Sequence, residues 1–237
     1  MIKIKFVIVS LIGLMIAISS FKSDKIKPTK TINVLVKEPS GIAYDEIENV
    51  FYIVSDNGKL YKLNRSFEII KKAPHNGIDF EDVCLANNYV IVTDETARKI
   101  LFFDKELNLV SIKNISYSGG RNKGVESITF NEKANQLVLV TEKEPIYIFI
   151  CDEELIEENT LEVNLAGDIS SLTYHKGSYY FLSDDDRKLI KTDLTFNKID
   201  EWSLPIVNPE GLTFNKDQLI VVSDDLQKAY FFDATNF

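Results

Sequence analysis

Apolar and polar residues alternate with period two along most of this chain. "GIAY" (41–44), "SITF" (127–130) and "GLTF" (211–214) step this way, and "VFYIV", "YVIVT" and "LVLV" follow as dense β-branched and aromatic runs. This pattern spells strands. The phrase also recurs. Residues 39–56 read "PSGIAYDEIENVFYIVSD", 80–94 "FEDVCLANNYVIVTD", 125–142 "VESITFNEKANQLVLVTE", 170–184 "SSLTYHKGSYYFLSD" and 209–225 "PEGLTFNKDQLIVVSDD". Aligned on the residue before the first strand's Ile, Val or Leu, the copies anchor at Gly41, Asp82, Ser127, Ser171 and Gly211, with spacings of 41, 45, 44 and 40. A period of about 40–50 built from short strands predicts propeller blades.

Each repeat reads as four strands, A to D. In the first copy these are Ser40–Tyr44, Val50–Ser55, Lys59–Asn64 and Phe67–Lys72, with the turn-forming "DEIEN" between A and B. Strand C returns as "KILFFD", "IYIFIC", "LIKTDL" and "KAYFFD", and strand D as "LNLVSIKNI", "TLEVNL" and "NKIDEWSL". The fifth copy ends at Phe237 without a strand D, while "TINVLVK" (31–37) is strand-like and has no blade of its own. Pairing the two closes the ring and covers an edge. The expectation is an all-β, five-bladed propeller over residues 22–237, with four antiparallel strands per blade, closed by the N-terminal strand 31–37. Six blades would need more chain.

The first 21 residues stand apart. Lys3 and Lys5 precede the apolar run Phe6–Ile18, and Ala17 and Ser19 offer small residues for a cleavage site. The run is short for a spanning helix, which needs about 20 residues. A signal peptide is expected, with an uncleaved N-terminal membrane anchor as the alternative. The protein would then be exported, periplasmic or associated with the cell envelope, and would meet the membrane only through this segment.

Hydrophobic residues make up 45% of the chain, which excludes a disordered polymer, and 15 Phe and 10 Tyr against 10 Gly and 6 Pro favour strands. The net charge of −9 argues against nucleic acid and anionic lipid as partners. Cys84 and Cys151 fall in apolar runs of different repeats and are expected to be buried free thiols. No CxxC pair serves zinc or redox chemistry.

Antiparallel wiring turns the repeat into a site. The start of A and the end of B lie at one end of every blade. The first column reads Ser40, Glu81, Glu126, Ser170 and Glu210; the second reads Asp56, Asp94, Glu142, Asp184 and Asp224. Glu38, Asp79 and Asp168 precede strand A and add to that face. Glu81, Glu126 and Glu210 therefore ring a channel mouth and are the candidate metal ligands. Clustered carboxylates repel one another, a hard divalent ion relieves them, and Ca²⁺ prefers oxygen ligands. The competing reading has Lys123 or Arg121 reach over the mouth and pair with them. In the second column a turn role is favoured, with Asp or Glu capping backbone N–H groups beside Lys59, Arg98, Lys143, Arg187 and Lys228. "SDDDR" (183–187) has the aspartates of a calcium loop but not its glycine or distal glutamate.

His175 falls in an A–B turn on the far face; His75 lies in a D-to-A connection leading to the acidic face. No Ser-His-Asp order, GxSxG elbow, P-loop or HExxH occurs. Asn114-Ile115-Ser116 fits a glycosylation site, relevant only in a eukaryotic secretory host.

"GRNKGVESITF" (120–130) carries a glycine-bounded basic loop into a Glu-led strand. With "EPSGIAY", "YIVSDNGKLYKL", "TEKEPIYIF", "YFLSDDDRKLIKTDL" and "NPEGLTF" in order, it resembles the SdiA-regulated (YjiK-like) β-propeller family. The likeness runs from about Glu38 to Asp233. It implies an exported or membrane-associated propeller and a link to calcium, because a calcium-regulated propeller belongs to that family. The leading reading is a calcium-associated propeller, not an enzyme, that binds a small molecule or protein at its acidic face. Two rivals stay open. One is a metal-dependent hydrolase of lactones or phosphoesters using the same glutamates, with His75 as proton carrier. The other is a metal-free interaction scaffold.

Overall fold

A computed structural model describes residues 24–117, 124–143 and 145–237. After β1 (Asp24–Lys25) and β2 (Lys30–Asn33), the chain winds through successive antiparallel blades. Blade 1 holds β3 (Pro39–Asp45), β4 (Val50–Ser55), β5 (Lys59–Leu63) and β6 (Ile69–Lys72). Blade 2 holds β7 (Phe80–Ala86), β8 (Tyr89–Asp94), β9 (Lys99–Phe103) and β10 (Leu109–Asn114). Blade 3 holds β11 (Val125–Asn131), β12 (Gln136–Thr141), β13 (Ile146–Cys151) and β14 (Glu157–Val163). Blade 4 holds β15 (Ser171–His175), β16 (Ser178–Ser183), β17 (Lys188–Thr192) and β18 (Lys198–Ser203). Blade 5 holds β19 (Pro209–Asn215), β20 (Gln218–Ser223) and β21 (Lys228–Asp233).

The missing fourth strand of blade 5 is β2, antiparallel to β21, so the N-terminal segment closes the ring as expected. It pairs over Lys30–Asn33 rather than 31–37. Val34 N–H reaches Gln227 O at 2.7 Å, already in the turn before β21, and no partner strand extends further. Val34 and Val36 instead bury in the wedge between blades 5 and 1, while Leu35 points out. An element the periodicity did not announce, β1, lies parallel to β18 and gives blade 4 a fifth strand.

Strand D begins one or two residues later than expected in blades 1, 2 and 4, and three residues earlier, at Glu157, in blade 3. Phe67 sits at φ +63 in the turn before β6, and Leu107, Leu155 and Phe196 repeat this in blades 2 to 4. Asn64, Asp104, Asp152 and Asp193 cap these turns, each side chain accepting backbone N–H groups. The apolar residue accepts the left-handed conformation because its side chain then packs inward. The Phe67 ring lies 4.6 Å from Phe51 and 5.7 Å from Phe231.

Sheet faces bury against sheet faces, so the core is five wedges, one per blade interface. Cys84 and Cys151 are free and buried together in the wedge between blades 2 and 3. Burial pushes both thiols up, Cys151 to about 11, so neither offers a thiolate at neutral pH. Among the described residues no helix is long and apolar enough to cross a membrane. The expected signal or anchor (1–21) lies outside the described residues.

Candidate functional site

A β-bulge builds the acidic mouth. In blades 1, 3 and 5 the first residue of strand A pairs with the last of strand B, the next is skipped, and pairing resumes one residue on. The skipped residues are Ser40, Glu126 and Glu210. Blade 2 interrupts its ladder in the same place, between Phe80 and Val83, which frees Glu81. A bulged residue leaves the ladder and re-aims its side chain, here toward the channel mouth. Blade 4 has no such shift between β15 and β16.

The ladder also corrects one column of the sequence alignment. Phe80 pairs with Asp94 as Pro39 pairs with Ser55, Val125 with Thr141 and Pro209 with Ser223. Asp94 therefore corresponds to a Ser/Thr position, and the residue facing the mouth in blade 2 is Glu95. The backbone agrees: Glu95 N–H bonds Asp79 O as Asp56 N–H bonds Glu38 O and Asp224 N–H bonds Asn208 O. Asp94 is structural, accepting the Ile78 and Ala97 N–H groups at 2.9 and 3.1 Å, the turn role expected of it. Asp168 does similar work, accepting from Ser183 Oγ and the Asp184 and Asp185 N–H groups.

Two carboxylate trios result. Asp79, Glu81 and Glu95 bring one oxygen each within 4.8 Å of one another, and so do Glu95, Glu126 and Glu142. Glu95 belongs to both. Glu210 lies outside both trios, although its charge acts on Glu81 and Glu126. The structure thus brings Glu81 and Glu126 into adjoining clusters and sets Glu210 beside them. Glu95 was hidden in the sequence by the Thr-Asp-Glu run, in which Thr93-Asp94 imitates the repeat's closing pair.

Burial, then neighbouring negative charge, governs these groups. Glu126 is only 8% exposed. Burial first, then Glu81, Glu142, Glu95 and Glu210, push its carboxyl well above the usual range. Burial first, then Asp56, Asp79, Glu95 and Glu210, do the same to Glu81. Burial and the charges of Asp184 and Asp56 push Glu210 up to about 8; burial and Asp224 push Asp56 to about 6. Glu95 is raised by burial, with the Gly124 N–H, 2.8 Å from its Oε1, pulling the other way. Lys143 Nζ lies 2.8 Å from Glu142, and the Arg98 guanidinium acts on Glu95 against the burial that raises it. Arg121 and Lys123, the expected competitors, lie outside the described residues.

Below the mouth the channel is shut. The alignment anchors form an axial ring in which Asp82 accepts from Ser127 Oγ, from Ser171 Oγ at 3.3 Å and from the Val83 N–H at 2.7 Å. Gly41 and Gly211 complete it: a Cβ on Gly41 would lie 2.6 Å from Asp82 Cα, and one on Gly211 2.8 Å from Gly41 Cα. Beyond the ring a cavity of about 210 Å³ opens on the opposite face, lined by Tyr44, Leu85, Phe130, His175 and Phe214 among others. His175 ends β15 rather than sitting in the turn. It stacks flat on Phe214 at 3.9 Å, and burial lowers its pKa to about 4, so it is uncharged at neutral pH. His75 is half-buried near Phe103, its ring 6.2 Å away.

Comparison with known proteins agrees with this architecture. Among solved structures, the glutaminyl cyclase of Myxococcus xanthus is similar with a TM-score of 0.69 at 11% identity, covering 88% of this chain and 97% of that one. A nidogen/laminin complex gives 0.62 at 13% identity, over 84% and 77%. A streptogramin B lyase gives 0.54 at 14% identity, over 86% and 72%. At such identities the likeness is one of fold. No curated protein matches the sequence. The profile of one family, described as SdiA-regulated, matches residues 16–232, nearly the whole chain. With five blades wound as that likeness implied, the chain belongs to the SdiA-regulated family.

Proposed function

We propose that the protein is an exported β-propeller whose acidic mouth binds a divalent cation, Ca²⁺, and uses it to recognise a small molecule or a protein partner. One observation carries the reading. Glu126 is nine-tenths buried, has no hydrogen-bond or ion-pair partner among the described residues, and is crowded by other carboxylates. A buried, unpaired carboxylate in such company is costly unless protonated or neutralised. The donors are oxygens only, without imidazole or thiolate, which suits a hard cation such as Ca²⁺. Glu95, Glu126 and Glu142 would hold the ion, with Glu81 adjoining. Because the axial ring closes the channel, the mouth is a cup rather than a passage, the shape of a binding site. Export rests on the leader-like pattern of residues 1–21.

Calorimetric titration of the full chain with Ca²⁺ at pH 7.5 tests the proposal. Saturable heat and a higher melting temperature at millimolar Ca²⁺ are expected, both lost or weakened at least about tenfold in Glu126→Gln. Asp224→Asn, outside the trios, should leave binding within about twofold of wild type. Absence of both heat and melting shift would sink the proposal.

A second reading, a metal-dependent hydrolase at the same mouth, draws on Glu210. A carboxyl pushed up to about 8 beside the trios can exchange protons at physiological pH, as a general acid or base must. Two of the similar structures are named as a cyclase and a lyase, so the architecture hosts catalysis elsewhere. Turnover of a lactone or phosphoester, abolished by EDTA and by Glu210→Gln while Ca²⁺ binding persists, would favour this reading. Calcium binding without turnover across such a panel favours the first.

A further inference from the structure

We propose that the mouth takes two divalent cations bridged by the carboxylate of Glu95. This rests on the proposed cation binding and adds a second site, formed by Asp79 and Glu81, to the one formed by Glu126 and Glu142. Glu95 alone belongs to both trios. A carboxylate shared between two ligand sets is the arrangement by which protein sites hold paired metal ions.

Three features fit a built site better than a chance cluster. The first is the fixing of the bridge. Glu95 is 7% exposed, and the Gly124 N–H holds its Oε1 at 2.8 Å. A Cβ on Gly124 would lie 2.6 Å from Glu95 Cγ, so only glycine lets that backbone donor come so close. The second is Asp79, whose Oδ2 accepts from Thr96 Oγ1 at 2.5 Å. Outer partners of this kind orient metal-ligating carboxylates. The third is Glu126, buried without a partner among the described residues, whose carboxylate lies against Glu95 and Glu142 and feels the charge of Glu81 in the other trio.

Charge gives the count. Asp79, Glu81, Glu95, Glu126 and Glu142 carry five negative charges when ionised. One divalent ion leaves three of them uncancelled in a largely buried setting. Two leave one, which the Lys143 ammonium on Glu142 and the Arg98 guanidinium acting on Glu95 offset. The second ion thus removes the repulsion that a single ion would leave between Asp79 and Glu81.

Equilibrium dialysis of the full chain against Ca²⁺ alone, at pH 7.5, decides the matter. Two Ca²⁺ per chain are expected in the wild type, one in Asp79→Asn, one in Glu142→Gln, and at least tenfold weaker binding of both in Glu95→Gln. Each variant's melting temperature in EDTA, expected at or above the wild-type value because a negative charge is gone, shows that loss of binding is not loss of fold. One Ca²⁺ per chain in the wild type would overturn the paired site and leave the proposed function standing. No Ca²⁺ at all would overturn both.

Discussion

Without Ca²⁺, the melting temperature should be highest near pH 5 and fall by about 10 °C or more by pH 9. Most globular proteins hold their stability across this range, so the slope is diagnostic. Its sign follows from the mouth. A carboxyl with a raised folded-state pKa binds its proton in the native protein at pH values where the unfolded chain has released it. Well below the unfolded value, about 4 for Asp and about 4.5 for Glu, both states are protonated and the group costs nothing. As pH climbs through the raised value, the native state must ionise a buried, crowded group and stability drains away. Asp56 contributes up to about 6 and Glu210 up to about 8, while Glu81 and Glu126 are raised well above the ordinary range. Each tenfold gain in a carboxyl's proton affinity on folding is worth about 1.4 kcal/mol, so a few such groups outweigh ordinary surface pairs. Below pH 4 stability falls again, because carboxylates held low by lysines, such as Glu201 with Lys198, lose their partners.

Millimolar Ca²⁺ should flatten or reverse this slope, since the ion competes with protons for the same oxygens and binds better as pH rises. Glu126→Gln should flatten it without Ca²⁺ and abolish most of the Ca²⁺ response. Thermal melts at unit pH steps, in EDTA and in Ca²⁺, read all of this. A melting temperature that holds or rises from pH 5 to 8 in EDTA would mean that the carboxylates are ionised and paired, with Arg121 and Lys123 as the available cations.

The sequence disclosed the ring readily because a propeller repeats its physics. Every blade must alternate to bury two faces, so its strands announce themselves, and the unpaired ends at residues 31–37 and 228–233 had one economical solution. Local departures were less legible. Phe67 is a strong strand former by type, yet it turns the chain, because packing between Phe51 and Phe231 is worth more than its backbone preference. Strand β1 is two residues long and too brief to leave a pattern. The acidic face was legible from topology alone, and the bulge that aims Glu81, Glu126 and Glu210 explains why one acidic residue before the anchor recurs. Glu95 was not legible, since "TDE" offers two ways to align a blade and only the hydrogen-bond register chooses between them. The anchors carried a further meaning. Gly41, Asp82, Ser127, Ser171 and Gly211 are small or hydrogen-bonding because they meet at the axis, where five strand edges converge.

That meeting gives the largest expected effect of a single substitution away from the mouth. Asp82→Ala should destabilise the fold by about 4–6 kcal/mol and lower the melting temperature by more than about 10 °C. Asp82 is 2% exposed and accepts from the hydroxyls of Ser127 and Ser171 and from the Val83 and Ile128 N–H groups. Removing it leaves four buried polar groups without their partner and opens a void on the axis. The damage spreads because the ring is a relay. Ser127 Oγ also accepts the Leu172 N–H at 2.7 Å, and Ser171 Oγ accepts the Leu212 N–H at 3.2 Å, so Asp82 orients serines that tie blade 3 to blade 4 and blade 4 to blade 5. Asp82→Asn should cost much less. Burial pushes the Asp82 carboxyl up to about 8 against those hydrogen bonds, so it is largely neutral at pH 7, and an amide of the same shape keeps one oxygen for the backbone donors. Ser127→Ala should fall between the two, since it removes one donor and leaves the Leu172 N–H without its acceptor. Urea unfolding of the three variants in EDTA at pH 7 orders them while keeping the metal site out of the comparison. If Asp82→Ala fell within about 1 kcal/mol of wild type, the blades would be held by their apolar wedges alone and the axial ring would be a plug without structural consequence.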